Sequence, residues 1–267
     1  MNKMESALHE LNEMDDLAAL DSPIHRLSPL SKLLAAVVYI AVTVSFHKYQ
    51  LSGLVVMALI PVLLYQVSGI PVRTCFYKLR VVLPLVMAVG LFNPIFDRAP
   101  MLYVGSVAVS GGVISMLSLM LKGVLCLMMS FLLIATTGID SLCAALRRLH
   151  VPGMLVTLLL LTYRYVGVMT EELAIMSDAY RLRAPGQKGV HVSAWGSFLG
   201  QALLRSMDRA QELYSSMQLR GFNGAFHYAA AAPFGARDAA FTLAVTAACL
   251  FLRYVNLAEL LGGLLVR

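Results

Sequence analysis

Hydrophobic positions in this chain fall into long runs, and the runs predict helices that cross a membrane. Leu33 to Phe46 is the first, closed by the polar break His47-Lys48-Tyr49-Gln50, and Leu51 to Ile70 is the second. A crossing takes roughly 20 apolar residues, so the first run must recruit its flanks or tilt little. A third run starts near Val81 and fades in GLFNPIFDRAP (90–100), where Pro94, Pro100 and the Asp97-Arg98 pair forbid a helix in lipid. MLYVGSVAVSGG (101–112) alternates weakly and predicts a short hairpin on the outer side. Val113 to Thr137 is a long fourth span interrupted only by Lys122, and a last span covers about Ala239 to Leu252, before Arg253.

Between the fourth and last spans the pattern changes. Residues 170–183 and about 197–221 carry helical periodicity, with Leu203, Met207, Ala210, Tyr214 and Met217 on one stripe. Arg205, Asp208, Arg209 and Glu212 fall largely on other faces, and APGQKGVHVSAWG (184–196) is a loop rich in breakers. The chain thus divides into a polar N-terminal cytoplasmic segment (1–28), a transmembrane bundle of about four spans (29–137), cytoplasmic or interfacial helices (138–235), and a final span and tail (236–267). The fold class expected is an all-α polytopic membrane protein. It has about five transmembrane helices, long amphipathic cytoplasmic helices and the short hairpin.

Composition agrees. Of 267 residues, 59% are hydrophobic and 13% charged, against about 25% charged in a soluble domain. Mean hydropathy is +0.75. The first 21 residues are acidic (Glu5, Glu10, Glu13, Asp15, Asp16, Asp21), which argues against a signal peptide. The net charge of +6 therefore sits in the later loops. Positive residues favour the cytoplasmic side, so the loop carrying Arg73, Lys78 and Arg80 is placed there, together with Arg26, Lys32, Arg147, Arg148 and His150. Keeping the basic region 170–235 on that side requires that 151–169 (VPGMLVTLLLLTYRYVGVM) not cross. Arg164 between Tyr163 and Tyr165 suits an interfacial helix.

Candidate chemistry is sparse. The cysteines (Cys75, Cys126, Cys143, Cys249) have no CxxC spacing, and the histidines (His9, His25, His47, His150, His191, His227) form no HxxxH or HExxH pair. No resident metal or cofactor is indicated. The absence of a GxxxxGK[ST] loop assigns any ATP to another chain. No aromatic–basic interleaving suggests nucleic acid. Lys122 is either a functional intramembrane charge or a cation reaching the outer interface.

Two stretches stand out: AYRLRAPG (179–186) and MQLRGFNG (217–224). Each ends an amphipathic helix with an arginine followed by a small residue. One copy is accounted for by the helix C-terminus, where arginine complements the dipole and Gly221 supplies a left-handed cap. Two copies about 37 residues apart suggest two docking points.

Taken with DSPIHRLSPLSKLL, GLFNPIFDR and TYRYVGVMTEEL, these motifs make the chain resemble, over nearly its whole length, the transmembrane T component of energy-coupling factor (ECF) transporters. Within them it is most similar to the cobalt/nickel type, the CbiQ family. That family carries a pair of Ala-Arg-Gly-like triplets on cytoplasmic coupling helices. The second maps to Leu219-Arg220-Gly221 and the first to Leu182-Arg183-Ala184, with Arg181 a competitor for Arg183. The resemblance implies a non-catalytic scaffold in the cytoplasmic (inner) membrane, with those residues facing two copies of an ABC-type ATPase subunit. It also implies a separate substrate-binding S component that carries the cargo. A T component serving vitamin-type S components, or a self-contained secondary metal transporter, are the alternatives.

Overall fold

The computed structural model describes residues 13–80, 82–93, 100–104, 107–187, 189–222, 224 and 234–254. Packing divides them into two compact units, one from Leu17–Gly138 and Ala232–Arg267, the other from Met1–Asp16 and Ile139–Ala231.

In the first unit, α1 (Pro29–Ser45) starts on a proline, which cannot donate a backbone hydrogen bond and loses nothing in a first turn. Its small and polar face, Ala35, Ala36, Tyr39 and Thr43, is wholly buried, while Val37 and Val44 point outward. That arrangement of apolar residues outside and small ones inside suits a helix solvated by lipid. The second apolar run forms α2 (Leu51–Met57) and α3 (Leu59–Ser68), with a turn at Ala58. Pro61 has no N–H to offer the carbonyl of Met57 four residues back. The buried hydroxyl of Tyr39 donates to that carbonyl instead, at 3.2 Å.

The basic stretch expected as a loop is a short helix, α4 (Val72–Leu79), and α5 (Leu83–Gly90) follows. At eight residues, or about 12 Å of rise, the described part of the third span is too short to cross. The Asp97-Arg98 pair lies outside the described residues. Strands β1 (Pro100–Val104) and β2 (Val107–Ser110) pair antiparallel, Tyr103 opposite Ala108. The long span α6 (Gly111–Thr137) is the hub, touching α1, α2, α3, α4 and α5. Close approach to α5 depends on Gly123, where a Cβ would lie 2.9 Å from a Val86 methyl. Of the methionines on this span, Met128 and Met129 are buried.

In the second unit, α7 (Ile139–Arg148) packs on α8 (Gly153–Arg183), which leads through a short 3₁₀ turn to α9 (Trp195–Leu219). Sequence periodicity splits α8 near residue 169, but the structure makes it one helix of 31 residues, about 46 Å long. The apolar N-terminal half and the amphipathic C-terminal half are continuous because no glycine cap or proline separates them. By length and composition Leu51–Ser68, Gly111–Thr137 and Gly153–Arg183 could each cross a membrane, and Pro29–Ser45 is a shorter apolar helix. The chain is an all-α polytopic membrane protein closed by α10 (Ala236–Tyr254), which packs on α1 in the first unit.

Candidate functional site: two arginine-tipped helix ends

Both arginine motifs end long helices of the second unit. Arg183 is the last residue of α8, and Ala184 caps it, its N–H bonded to the Tyr180 carbonyl at 3.0 Å. The neighbouring Arg181 is engaged with Asp178 at 3.5 Å. Arg183 makes no ion pair among the described residues, and both arginines are exposed.

Arg220 closes α9, and Gly221 takes the left-handed conformation with φ 79°. The Gly221 N–H bonds to the Gln218 carbonyl at 2.9 Å and the Phe222 N–H to Met217 at 3.0 Å. This is the paired pattern of a Schellman cap, so the expected cap role of Gly221 is present. The cap satisfies the helix backbone without the Arg220 side chain, which is exposed and makes no ion pair among the described residues. Leu182 and Leu219, each one residue before an arginine, are 84% and 90% exposed.

The loop between the helices is fastened at both ends. The Tyr180 hydroxyl donates to Gln187 Oε1 at 2.9 Å and accepts the His191 N–H at 3.3 Å. Trp195 Nε1 donates to the Val190 carbonyl at 3.1 Å. Farther back, Arg205 on α9 pairs with Glu172 on α8 at 2.8 Å. Beside this contact a groove of about 810 Å³ opens between the two helices. Leu158, Leu161 and Met169 on α8 face Leu213, Tyr214 and Met217 on α9 across it. The periodic apolar stripe of α9 is thus only partly covered. At the N-terminal side, Asp15 accepts a 2.9 Å hydrogen bond from the Tyr163 hydroxyl of α8.

The first unit holds buried charges whose partners sequence reasoning missed. Lys32, expected on the cytoplasmic side, is 6% exposed and donates to the carbonyls of His25 at 3.1 Å and Thr136 at 2.7 Å. Asp238, unremarked in the sequence, is 7% exposed. One carboxylate oxygen accepts the Ser28 N–H at 2.7 Å, and the other accepts the Gly235 N–H at 2.9 Å. It thereby caps the N-termini of α1 and α10 together. Lys122 donates to the carbonyls of Val44 and Phe46, and Arg253 to that of Ser45 at 2.9 Å. Two cations therefore serve the C-terminus of α1. Among the described residues no three His, Cys, Asp or Glu side chains converge as a metal site.

The apolar helices long enough to cross a membrane make this a membrane protein, and its relatives give the class. The chain belongs to the cobalt transport protein family, CbiQ, whose model matches residues 21–228. It is 33% identical to the nickel permease LarQ of Lactiplantibacillus plantarum over 93 residues, 35% of this chain and 33% of that one. It is 35% identical to the cobalt transport protein CbiQ of Rhodobacter capsulatus over 95 residues, 34% and 38% of the two chains. These alignments span little more than a third of either relative. Similarity to the energy-coupling factor transporter transmembrane protein EcfT of Leuconostoc gelidum is lower, 25%, but covers 223 residues, 77% of this chain and 81% of the relative.

Proposed function

We propose that this chain is the energy-coupling transmembrane subunit, the T component, of an ECF-type importer for cobalt or nickel ions in the cytoplasmic membrane. It is not an enzyme in this reading. Two ABC-type ATPase subunits hydrolyse ATP, and a separate substrate-binding subunit in the membrane carries the ion. The observation that carries the reading is the pair of exposed Leu-Arg ends on α8 and α9. Family membership and the length of the EcfT similarity support it.

Elementary physics supports this reading. A guanidinium offers a planar fork of donors to carboxylates or carbonyls, and a charge-assisted hydrogen bond contributes about 1.5–3 kcal/mol. Arg183 and Arg220, with Arg181 beside the first, dock in the ATPase pair, and Ala184 and Gly221 keep the adjoining backbone bare. Closure of the pair on ATP displaces both tips. Helices of 31 and 25 residues cross-linked by Arg205–Glu172 transmit that displacement as levers. The apolar groove between them offers the surface for the substrate-binding subunit.

The test is Arg183→Glu/Arg220→Glu in the assembled transporter. Each tip then presents an anion to a socket built for a cation. Loss of Co²⁺ or Ni²⁺ uptake and of ATPase co-purification, with the chain still inserted in the membrane, is expected. Normal assembly and uptake would overturn the reading.

A second reading is a T component not dedicated to metal, such as one serving vitamin-type substrate-binding subunits. The EcfT relatives, whose names specify no metal, align over 77% and 76% of this chain, and the nickel and cobalt relatives over 35% and 34%. Uptake that depends on a vitamin-binding subunit, and not on a metal-binding one, decides for it.

A further inference from the structure

An exposed leucine is ordinary on a protein surface. Here the same pair, a bare leucine followed by an arginine without an ion pair among the described residues, occurs at the C-terminal ends of two helices. Neither leucine serves its own helix end. The apolar contact that accompanies a Schellman cap joins the third residue from the end to the second beyond the cap. In α9 those are Met217 and Phe222, both half-buried and both lining the groove. Leu219 is left outside that contact, and neither it nor Leu182 lines the groove. The α8 tip is also held in place, because Tyr180 and Trp195 fasten the following loop. A preorganised tip loses less entropy on binding.

We propose that Leu182 and Leu219 are the apolar anchors of the ATPase interface. Each seats in a leucine-sized apolar pocket of an ABC-type ATPase subunit whose rim supplies acidic groups to the adjacent arginine. The inference rests on the function proposed above and adds the chemistry of the partner's socket. Charge complementarity favours an acidic rim, since the tips present Arg183 and Arg220. A membrane surface fits less well, because interfacial helices bind through a broad apolar face and here one leucine projects at each helix end. A leucine-sized pocket also gives selectivity. An ATPase whose socket accepts only a methyl group would exclude this chain by steric overlap, and one with a larger void would lose contact.

The experiment uses the full chain in detergent and the ATPase pair purified with it. Leu182→Cys and Leu219→Cys, in a Cys126→Ala background because Cys126 is only part-buried, are labelled with a maleimide in the free chain and in the complex, and the exposed thiols stand out against the buried Cys75, Cys143 and Cys249. Rapid labelling of both positions in the free chain, slowed at least tenfold by the ATPases, is expected. In a titration, Leu182→Ala/Leu219→Ala weakens association by roughly tenfold or more per leucine, with unchanged thermal unfolding. Equal labelling with and without ATPases overturns the proposal, as does protection by anionic vesicles alone or wild-type affinity of the alanine variant. If the alanine variant binds normally while Arg183→Glu/Arg220→Glu does not, the anchors fail and the arginine sockets stand. If both variants bind normally, the proposed function fails with them.

Discussion

Lys32 Nζ donates a 2.7 Å hydrogen bond to the carbonyl of Thr136, across 104 residues of sequence. Thr136 lies one residue from the end of α6, where carbonyls have no partner within the helix. A buried ammonium there satisfies one and complements the negative end of the dipole. Asp238 does the converse for the N-termini of α1 and α10.

Lys32→Met keeps the length and apolarity of the stem but strands the carbonyls of His25 and Thr136. Unsatisfied buried acceptors cost about 1–3 kcal/mol each. A destabilisation of about 2–4 kcal/mol is expected, read as a lower thermal midpoint in detergent. Asp238→Ala should lower it comparably, and a midpoint within error of wild type for either variant would show that its bonds contribute little.

Arg181 and Arg183 should separate in function. Arg181 lies two residues inside the end of α8 and is paired with Asp178, whereas Arg183 is the last helical residue and makes no ion pair among the described residues. Arg181→Glu should therefore reduce metal uptake less than Arg183→Glu or Arg220→Glu, with equal amounts of protein in the membrane. An Arg181 variant as defective as the Arg220 variant would make Arg181 the first coupling arginine.

Charge asymmetry predicts that 71–80 and 138–235 share the cytoplasmic side. In a background without native cysteines, Lys78→Cys and Lys188→Cys should label only after the membrane is opened. Ready labelling of Lys188→Cys in intact cells would mean that α8, long and apolar enough to span, crosses the membrane.

Arg26 grips Asp21 through two hydrogen bonds of 2.8 and 2.7 Å. Those bonds hold the exposed Asp21 carboxyl below its ordinary 3.8 and raise the Arg26 guanidinium. A carboxylate depressed on folding contributes stability above its unfolded pKa and loses it as pH falls through the folded value. The Asp21→Asn variant should therefore differ from wild type at neutral pH and converge with it below pH of about 4. Matched unfolding curves at the two pH values read this out.

By itself the chain should bind Co²⁺ weakly, since its histidines and cysteines are dispersed. Calorimetry of the purified subunit should show no stoichiometric site of micromolar affinity, equivalent to about 8 kcal/mol. Such a site, lost on His25→Ala or His47→Ala, would instead make the chain a metal transporter in its own right.

Apolar runs and breakers were enough, from the sequence alone, to establish the helical membrane class and the two arginine-tipped helices. Both are written locally: lipid demands continuous apolar residues, and the glycine at 221 favours the left-handed turn that caps α9. Tertiary structure decided what distant residues do to one another. Nothing local pairs Lys32 with a carbonyl until α6 brings Thr136 to it, and Asp238 is unremarkable until its carboxylate meets the Ser28 N–H. The same holds for Lys122 at the end of α1 and for Tyr39 beneath the gap left by Pro61. Hydrogen-bond satisfaction in a dry bundle is a property of pairs far apart in sequence, and no local pattern encodes it. Only the folded second unit shows that Arg181 is paired and Arg183 is not, and that the leucines before Arg183 and Arg220 are bare.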